Sequence, residues 1–179
     1  MWKHINKKFT RRNRFTRQCI GEAILFLTHQ KGFEAVTVSD IVKKAGVSRM
    51  TFYHYFHDKT DALNNYLLEI INGYLEECPE TISLSMLQSR ERIRHALYYF
   101  DRYAFLFITL DEANLYYLMI NAINEYMKLY TAPYYSGSLY DLYYYAGALL
   151  NVFIHWEKDG KKESVDELVQ IIERRILNS

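Results

Sequence analysis

The sequence is poor in proline, glycine and cysteine, and each shortage argues against a class of protein. Its 179 residues include two prolines and seven glycines, too few for the many tight turns of an all-β protein. The two cysteines, Cys19 and Cys78, show no metal-ligand or C-x-x-C spacing, so a disulfide scaffold or thiolate zinc site is not expected and a reducing cytoplasm is favoured. The N-terminus has no apolar signal region, and the longest apolar stretch, residues 104–110, is too short to span a bilayer. These absences predict an all-α protein that is neither secreted nor membrane-spanning.

Motifs of enzymes are also missing. The sequence contains no G-x-S-x-G, no H-E-x-x-H and no glycine-rich phosphate loop. His54 and His57 have a spacing that fits a metal on a helix, but a pair of histidines alone is weak evidence for a metal site. We therefore predict no catalytic residue, no metal and no cofactor.

Charge is distributed unevenly along the chain, although the net charge is only +1. Residues 1–60 contain 12 Lys or Arg and 4 Asp or Glu, whereas residues 61–179 contain 10 and 17. A net charge of +8 on the first third favours contact with a polyanion. A solvated basic helix face is the alternative, and the position of the charges has to decide between them.

Short amphipathic helices fill the basic third. Apolar spacing predicts a helix over residues 11–29, ended by Gly32. Thr37 and Asp40 form a capping-box pattern for a second helix that ends at Gly46. Ser48 is an N-cap signal for a third helix, and Asp58 is one for a fourth. Two short helices joined by a tight turn at a glycine are typical of a helix-turn-helix.

A second, longer helical part follows Pro79, which we expect to mark the domain boundary. Apolar spacing predicts helices near residues 84–102, 103–109, 111–131, 137–158 and 163–177, for about nine helices in all. The last two helices have wide apolar faces and are separated at Gly160. Docked on a symmetry mate, they would form a four-helix interface. The predicted interface residues are Leu142, Ala146, Leu150, Phe153, Leu168 and Ile172.

The first part resembles the TetR/AcrR family of transcriptional regulators over residues 11–75. The resemblance lies in TVSDIVKKAGVS at residues 37–48, TFYHYF at residues 51–56, and Asp58-Lys59 leading to Leu63. It implies a helix-turn-helix at residues 37–56, and a helical effector-binding and dimerisation domain over residues 80–179. Trp156 followed by Gly160 is also similar to a subgroup that includes regulators related to dihydroxyacetone kinase operons.

By this resemblance, the third helix enters the major groove of operator DNA. Arg49 has the chemistry to pair with guanine O6 and N7, and Met50 either touches a thymine methyl or packs on its own helix. Thr37, Tyr53 and Lys59 resemble phosphate-contacting positions; the alternatives are a core tyrosine and a solvated lysine. The residues predicted to bind DNA are Thr37, Ser48, Arg49, Met50, Thr51, Tyr53, His54 and Lys59.

The N-terminal arm carries further basic residues, which either follow the phosphates and minor groove or are only solvated. These residues are Lys3, Lys7, Lys8, Arg11, Arg12, Arg14 and Arg17.

Tyrosine is concentrated in the second part, where 13 of the 17 fall between residues 98 and 145. Phenol rings suit a small aromatic or cationic effector, although most such rings serve as packing residues. The candidate pocket consists of Tyr98, Tyr99, Tyr103, Tyr116 and Tyr117.

The resulting hypothesis is a cytoplasmic, homodimeric regulator that binds a palindromic operator, in the repressor mode common in the family, and that a small molecule releases or modulates. A helix-turn-helix regulator or adaptor that is controlled by a protein partner, with no small-molecule pocket, is the alternative. An enzyme is the weakest of the three hypotheses.

Overall fold

The computed structural model describes residues 11–77 and 88–177, and within these ranges it contains nine α-helices and no strand. In chain order the helices are α1 (Arg11–Lys31), α2 (Val38–Ala45), α3 (Arg49–Tyr55), α4 (Lys59–Glu77), α5 (Arg90–Asp101), α6 (Ala104–Glu112), α7 (Tyr116–Tyr126), α8 (Leu139–Lys158) and α9 (Val165–Leu177). The predicted all-α class is confirmed. None of the helices in the described ranges combines the length and hydropathy that a membrane span requires.

The chain divides into two compact units, Met1–Leu67 and Leu68–Ser179, and their boundary falls inside α4. The sequence predicts the division between residues 75 and 80 instead, next to a proline that lies outside the described residues. A proline is a local signal, whereas a compact unit is defined by the contacts between helices.

The first unit is built on fully buried aliphatic and aromatic side chains. Helix α1 packs on α2, and α2 packs on α3. Each helix turns apolar residues of one side inward, as an amphipathic helix does. The side chains at 0% exposure in this unit are Ile20, Ile24, Ile41, Phe52 and Leu63.

In the second unit, α8 packs against α6 and α7, and α9 packs against α5. Two arginines of α5 reinforce the latter contact. Arg90 forms a two-point ion pair with Glu173 at 2.6 and 3.3 Å, and Arg94 pairs with Asp166 at 2.6 Å. The two last helices therefore have different main partners inside one chain.

The predicted single helix over residues 111–131 is wrong at its start. Asn114 adopts a left-handed conformation with φ of 58°, and the Leu115 N–H bonds to the Leu110 carbonyl at 2.8 Å. This is the geometry that ends a helix, and asparagine tolerates it better than most residues. Consequently α6 extends to Glu112, α7 begins at Tyr116, and a π-helical turn occupies Met127–Thr131.

Other helix boundaries follow local caps. Ser89 caps α5, which begins at Arg90; residues 84–87 of the predicted helix lie outside the described residues. Gly160 has φ of 80° and separates α8 from α9, as expected for a glycine after a helix.

Candidate nucleic-acid interface

The start of α2 is held by the predicted capping box. The Asp40 N–H donates to Thr37 Oγ1 at 3.2 Å, and Asp40 Oδ2 accepts from the Thr37 N–H at 3.0 Å. The same carboxylate oxygen accepts from Thr37 Oγ1 at 2.6 Å and from Lys31 Nζ at 2.8 Å. The bond from Lys31, followed by those from Thr37, lowers the pKa of Asp40 well below its ordinary range. This network fixes the first turn of α2.

The turn between α2 and α3 is only three residues long. Gly46 has φ of 67°, a conformation that glycine adopts without a steric penalty, and the Val47 N–H donates to the Val42 carbonyl at 3.0 Å. Ser48 then caps α3, because its Oγ accepts from the Thr51 N–H at 2.9 Å. The predicted cap residues of the helix-turn-helix are confirmed.

Helix α3 has one buried anchor and a broad accessible side. Phe52 is 0% exposed, whereas Met50 is 85% and Tyr53 is 56% exposed. Arg49 and His54 are exposed as well. The Tyr53 ring packs edge-on against Phe52, with centroids 5.4 Å apart, so the core aromatic supports an accessible one. Of the residues predicted to bind DNA, these four lie together on the accessible part of α3.

Arg49 also contacts the neighbouring helix. Its Nη2 donates to the Oγ of Ser39 at 3.1 Å, which links the first residue of α3 to the second residue of α2. Sequence reasoning missed Ser39, because the contact joins residues ten positions apart and no local pattern marks it.

Lys59 has a different environment from the one that the sequence predicts. Its Nζ donates to three backbone carbonyls, those of Phe33 at 2.6 Å, Val36 at 3.1 Å and Glu34 at 3.2 Å. It also lies 4.4 Å from the centroid of the Phe33 ring. Because an ammonium has three N–H donors, none is left for a phosphate in this geometry. The contacts support a structural role for Lys59 rather than the predicted phosphate contact.

The basic N-terminal segment is divided in the structure. Arg12, Arg14 and Arg17 belong to α1 rather than to an extended arm, while Lys3, Lys7 and Lys8 lie outside the described residues. Arg12 and Arg14 are exposed.

Arg17 has a structural environment instead. It is 7% exposed, donates to Asn65 Oδ1 at 3.0 Å and lies over the Phe56 ring at 5.3 Å. Arg17 therefore holds α1 against α4 and is not available as an arm residue.

The candidate effector tyrosines are not equivalent. Tyr99 is 4% exposed and donates its hydroxyl to the Ile70 carbonyl at 2.7 Å; burial raises its pKa. Its ring centroid is 5.5 Å from that of Tyr103. Tyr98 and Tyr117 are about half exposed, and Tyr116 is half-buried with a pKa that burial raises. Only Tyr99 and Tyr103 of the five are in ring contact with each other among the described contacts.

The six predicted interface residues lie in the interior of a single chain. Their exposed fractions run from 0 to 8%, so they pack against their own chain and are not available to a second one. The periodicity correctly identified the apolar face but not its partner. The residues concerned are Leu142, Ala146, Leu150, Phe153, Leu168 and Ile172.

Helices α8 and α9 expose other large side chains. Tyr140 and Tyr144 of α8 are 80% and 81% exposed, and Ile171 of α9 is 47% exposed. The two tyrosines are one helical turn apart and share a side of α8.

This arrangement, two short capped helices with a tight glycine turn and an exposed second helix, defines a helix-turn-helix DNA-binding protein. Residues 20–64 match the family model described as bacterial regulatory proteins, tetR family. Residues 20–64 therefore form a domain of this family of regulatory proteins, which confirms the resemblance over that part of the chain. The subgroup suggested by Trp156 and Gly160 stays a prediction.

Solved structures extend the fold similarity over most of the chain. A protein from Listeria innocua has a TM-score of 0.75 at 18% identity, covering 94% of this chain and 92% of that one. The fatty acid degradation regulator FadR from Bacillus halodurans has a TM-score of 0.54 at 19% identity, covering 94% and 95%. The transcriptional regulator FadR from Bacillus subtilis, in complex with stearoyl-CoA, has a TM-score of 0.52 at 18% identity, covering 87% and 95%. The sequence has no match among the curated proteins.

Proposed function

We propose that this protein is a homodimeric transcriptional repressor in the cytoplasm. In this proposal the two copies of α3 bind the half-sites of a palindromic operator, and a small molecule bound by Leu68–Ser179 changes operator affinity. The single observation that carries the DNA-binding part is the exposure of Arg49, Met50 and Tyr53 over the buried Phe52. Such a surface suits a major groove, because side chains of one helix then reach several base edges.

Footprinting tests this part of the proposal. We expect protection of a near-palindrome, with half-site centres about 34–36 Å or a multiple of this distance apart. Affinity is expected to fall steeply between low and moderate salt, because each phosphate contact releases counterions. Affinity that stays flat with salt, or protection with no sequence preference, would refute operator binding.

The dimer part of the proposal assigns the partner surface to the exposed side of α8 around Tyr140 and Tyr144. Tyrosine is enriched at protein interfaces, and these rings are more than three-quarters accessible in the single chain. This assignment replaces the six buried residues predicted from the sequence.

Light scattering on purified variants tests the assignment. Tyr144→Glu places a charge in the proposed interface and should shift the protein from dimer to monomer. Tyr134→Glu is the matched control, because Tyr134 is 60% exposed but precedes α8. Equal behaviour of the two variants would exclude this side of α8 as the dimer surface.

The effector part draws on the buried aromatic side chains of the second unit. Tyr74, Tyr99, Tyr126 and Tyr145 are each at most 5% exposed, and burial raises the pKa of both Tyr99 and Tyr145. Neutral phenol rings in an apolar interior suit a ligand with an apolar or aromatic body. A structure with the same fold, FadR from Bacillus subtilis, contains stearoyl-CoA.

Two probes test the effector class. Benzyltrimethylammonium represents an aromatic cation, and stearoyl-CoA represents a long acyl chain. We expect one of them to raise the melting temperature and to release the operator, because a ligand shifts an equilibrium by its differential affinity for the two states. If neither probe changes operator binding, effector control by these two chemical classes is refuted.

A further inference from the structure

We propose that Ser39 is a positioning residue for sequence recognition, because it holds the guanidinium of Arg49 in place before DNA is bound. This inference rests on the proposed function, in which Arg49 reads a base pair. Ser39 is not among the residues that the sequence predicts to bind DNA.

The contact joins the two helices of the helix-turn-helix. Arg49 Nη2 donates to Ser39 Oγ at 3.1 Å, and both side chains are exposed. Ser39 is the second residue of α2, and Arg49 is the first residue of α3. The bond therefore lies on the accessible side of the unit, next to the residues that face the proposed groove.

Both ends of this bond are attached to rigid backbone. Thr37 and Asp40 cap α2 on either side of Ser39, and Ile41 anchors the helix at 0% exposure. On the other helix, Ser48 caps α3 directly before Arg49, and Phe52 anchors it at 0% exposure. Because caps and anchors fix both helices, the Ser39 hydroxyl marks a defined position for the guanidinium.

The hydrogen bond leaves Arg49 able to read a base. A guanidinium has five N–H donors, and the bond to Ser39 uses one of them. Bidentate recognition of guanine O6 and N7 needs two N–H donors, so Arg49 has enough donors to contact Ser39 and guanine at the same time.

Restraint of the side chain before binding should favour recognition. A free arginine loses much rotamer freedom when it is fixed at an interface, and a side chain that is already restrained loses less. Removing the Ser39 hydroxyl should therefore weaken binding to the correct base pair and leave the phosphate contacts intact.

A double-mutant cycle tests this inference. The base pair that Arg49 recognises is first identified as the one at which Arg49→Ala no longer distinguishes sequences. Discrimination is then the ratio of the affinity for the operator to the affinity for an operator altered at that base pair. We expect Ser39→Ala to lower this ratio about two- to tenfold. In the Arg49→Ala background, Ser39→Ala should have no further effect, because the group that it positions is absent.

Two variants serve as controls. Ser39→Thr retains a hydroxyl and should preserve most of the discrimination. Lys43→Ala removes an exposed charge of α2 and should change affinity for all sequences by the same factor. Melting temperatures of all variants are measured, so that a loss of discrimination with unchanged stability separates positioning from a folding defect.

Three results would overturn the role of Ser39. The first is that Ser39→Ala lowers discrimination equally in the wild type and in the Arg49→Ala background. The second is that Ser39→Ala lowers affinity for all sequences by the same factor with a smaller salt slope, and the third is that it increases discrimination. A wild-type protein without sequence preference would overturn the proposed function and this inference with it. No effect of Arg49→Ala would overturn the reading of a base pair by Arg49, on which this inference rests. A failure of the proposed function or of base reading by Arg49 is distinguishable from a failure of the Ser39 role, because the former is seen in the wild type or in Arg49→Ala, before Ser39 is changed.

Discussion

The Nζ of Lys59 donates to the carbonyl oxygen of Phe33 at 2.6 Å, across 26 positions of sequence. With the bonds to the Glu34 and Val36 carbonyls, it ties the start of α4 to the segment between α1 and α2. That segment leads directly into Thr37, the cap of α2. Lys59 therefore stabilises the segment that leads into the helix-turn-helix.

Lys59→Met should lower the free energy of unfolding by about 1.5–3 kcal/mol, since the aliphatic stem remains but three carbonyls lose a charged donor. Denaturant titration measures this change. The salt slope of operator binding should stay the same, because no phosphate contact is removed. Lys43→Met is the control for stability and should leave it near the wild-type value. A Lys59 variant with normal stability and a salt slope smaller by about 0.9 would instead identify Lys59 as a phosphate contact.

Asp40 makes the stability of the first unit depend on pH. The hydrogen bond from Lys31 and then those from Thr37 lower its folded-state pKa. The unfolded chain therefore takes up the proton first, at an ordinary aspartate pKa of about 4. The stabilising contribution of Asp40 is complete above that pH and is lost as the pH falls toward the lowered value.

Melting temperatures of the wild type and Asp40→Asn, measured from pH 7 down to pH 3, test this prediction. The wild type should be the more stable at neutral pH, and the difference should shrink below about pH 4. A difference that stays constant over the whole range would contradict the assignment.

Gly21 allows α1 and α4 to approach closely. A Cβ at this position would overlap the ring of Tyr66. Gly21→Ala should therefore destabilise the protein by about 1–3 kcal/mol through overpacking, despite the better helix propensity of alanine. Gly147→Ala is the matched control, because the nearest atom to a Cβ there is Ile120 Cδ1 at 3.9 Å. Thermal unfolding should show a loss only for Gly21→Ala; equal effects would argue against the close approach.

Tyr98 and Tyr99 are neighbours in sequence with opposite environments. Tyr99→Phe removes the buried hydroxyl that donates to Ile70 and should cost about 1 kcal/mol in the free energy of unfolding. Tyr98→Phe removes a hydroxyl from a ring that is 55% exposed and should change little. Denaturant titration of both variants gives the comparison. If Tyr98→Phe is the more destabilising, the burial assigned to these two side chains is wrong.

Local chemistry made the helix-turn-helix predictable from the sequence. The Thr37–Asp40 and Ser48–Thr51 caps involve residues three positions apart, and the left-handed turn at Gly46 requires only the glycine itself. Such interactions depend on near neighbours, so their residue types identify them. The break between α6 and α7 at Asn114 was not predicted, because many asparagines occur inside helices and residue type alone does not select the left-handed conformation.

Contacts between distant residues could not be predicted in this way. Apolar spacing identified the buried face of α8 and α9 but not whether its partner was the same chain or a second copy. The recruitment of Lys59 to three carbonyls and of Ser39 to Arg49 depends on how α2, α3 and α4 pack together. The sequence by itself determined the all-α class and the two capped helices of the helix-turn-helix, because these depend on local spacing. Only the tertiary structure decided which exposed side chains remain for DNA and for a partner, since burial depends on the packing of the whole chain.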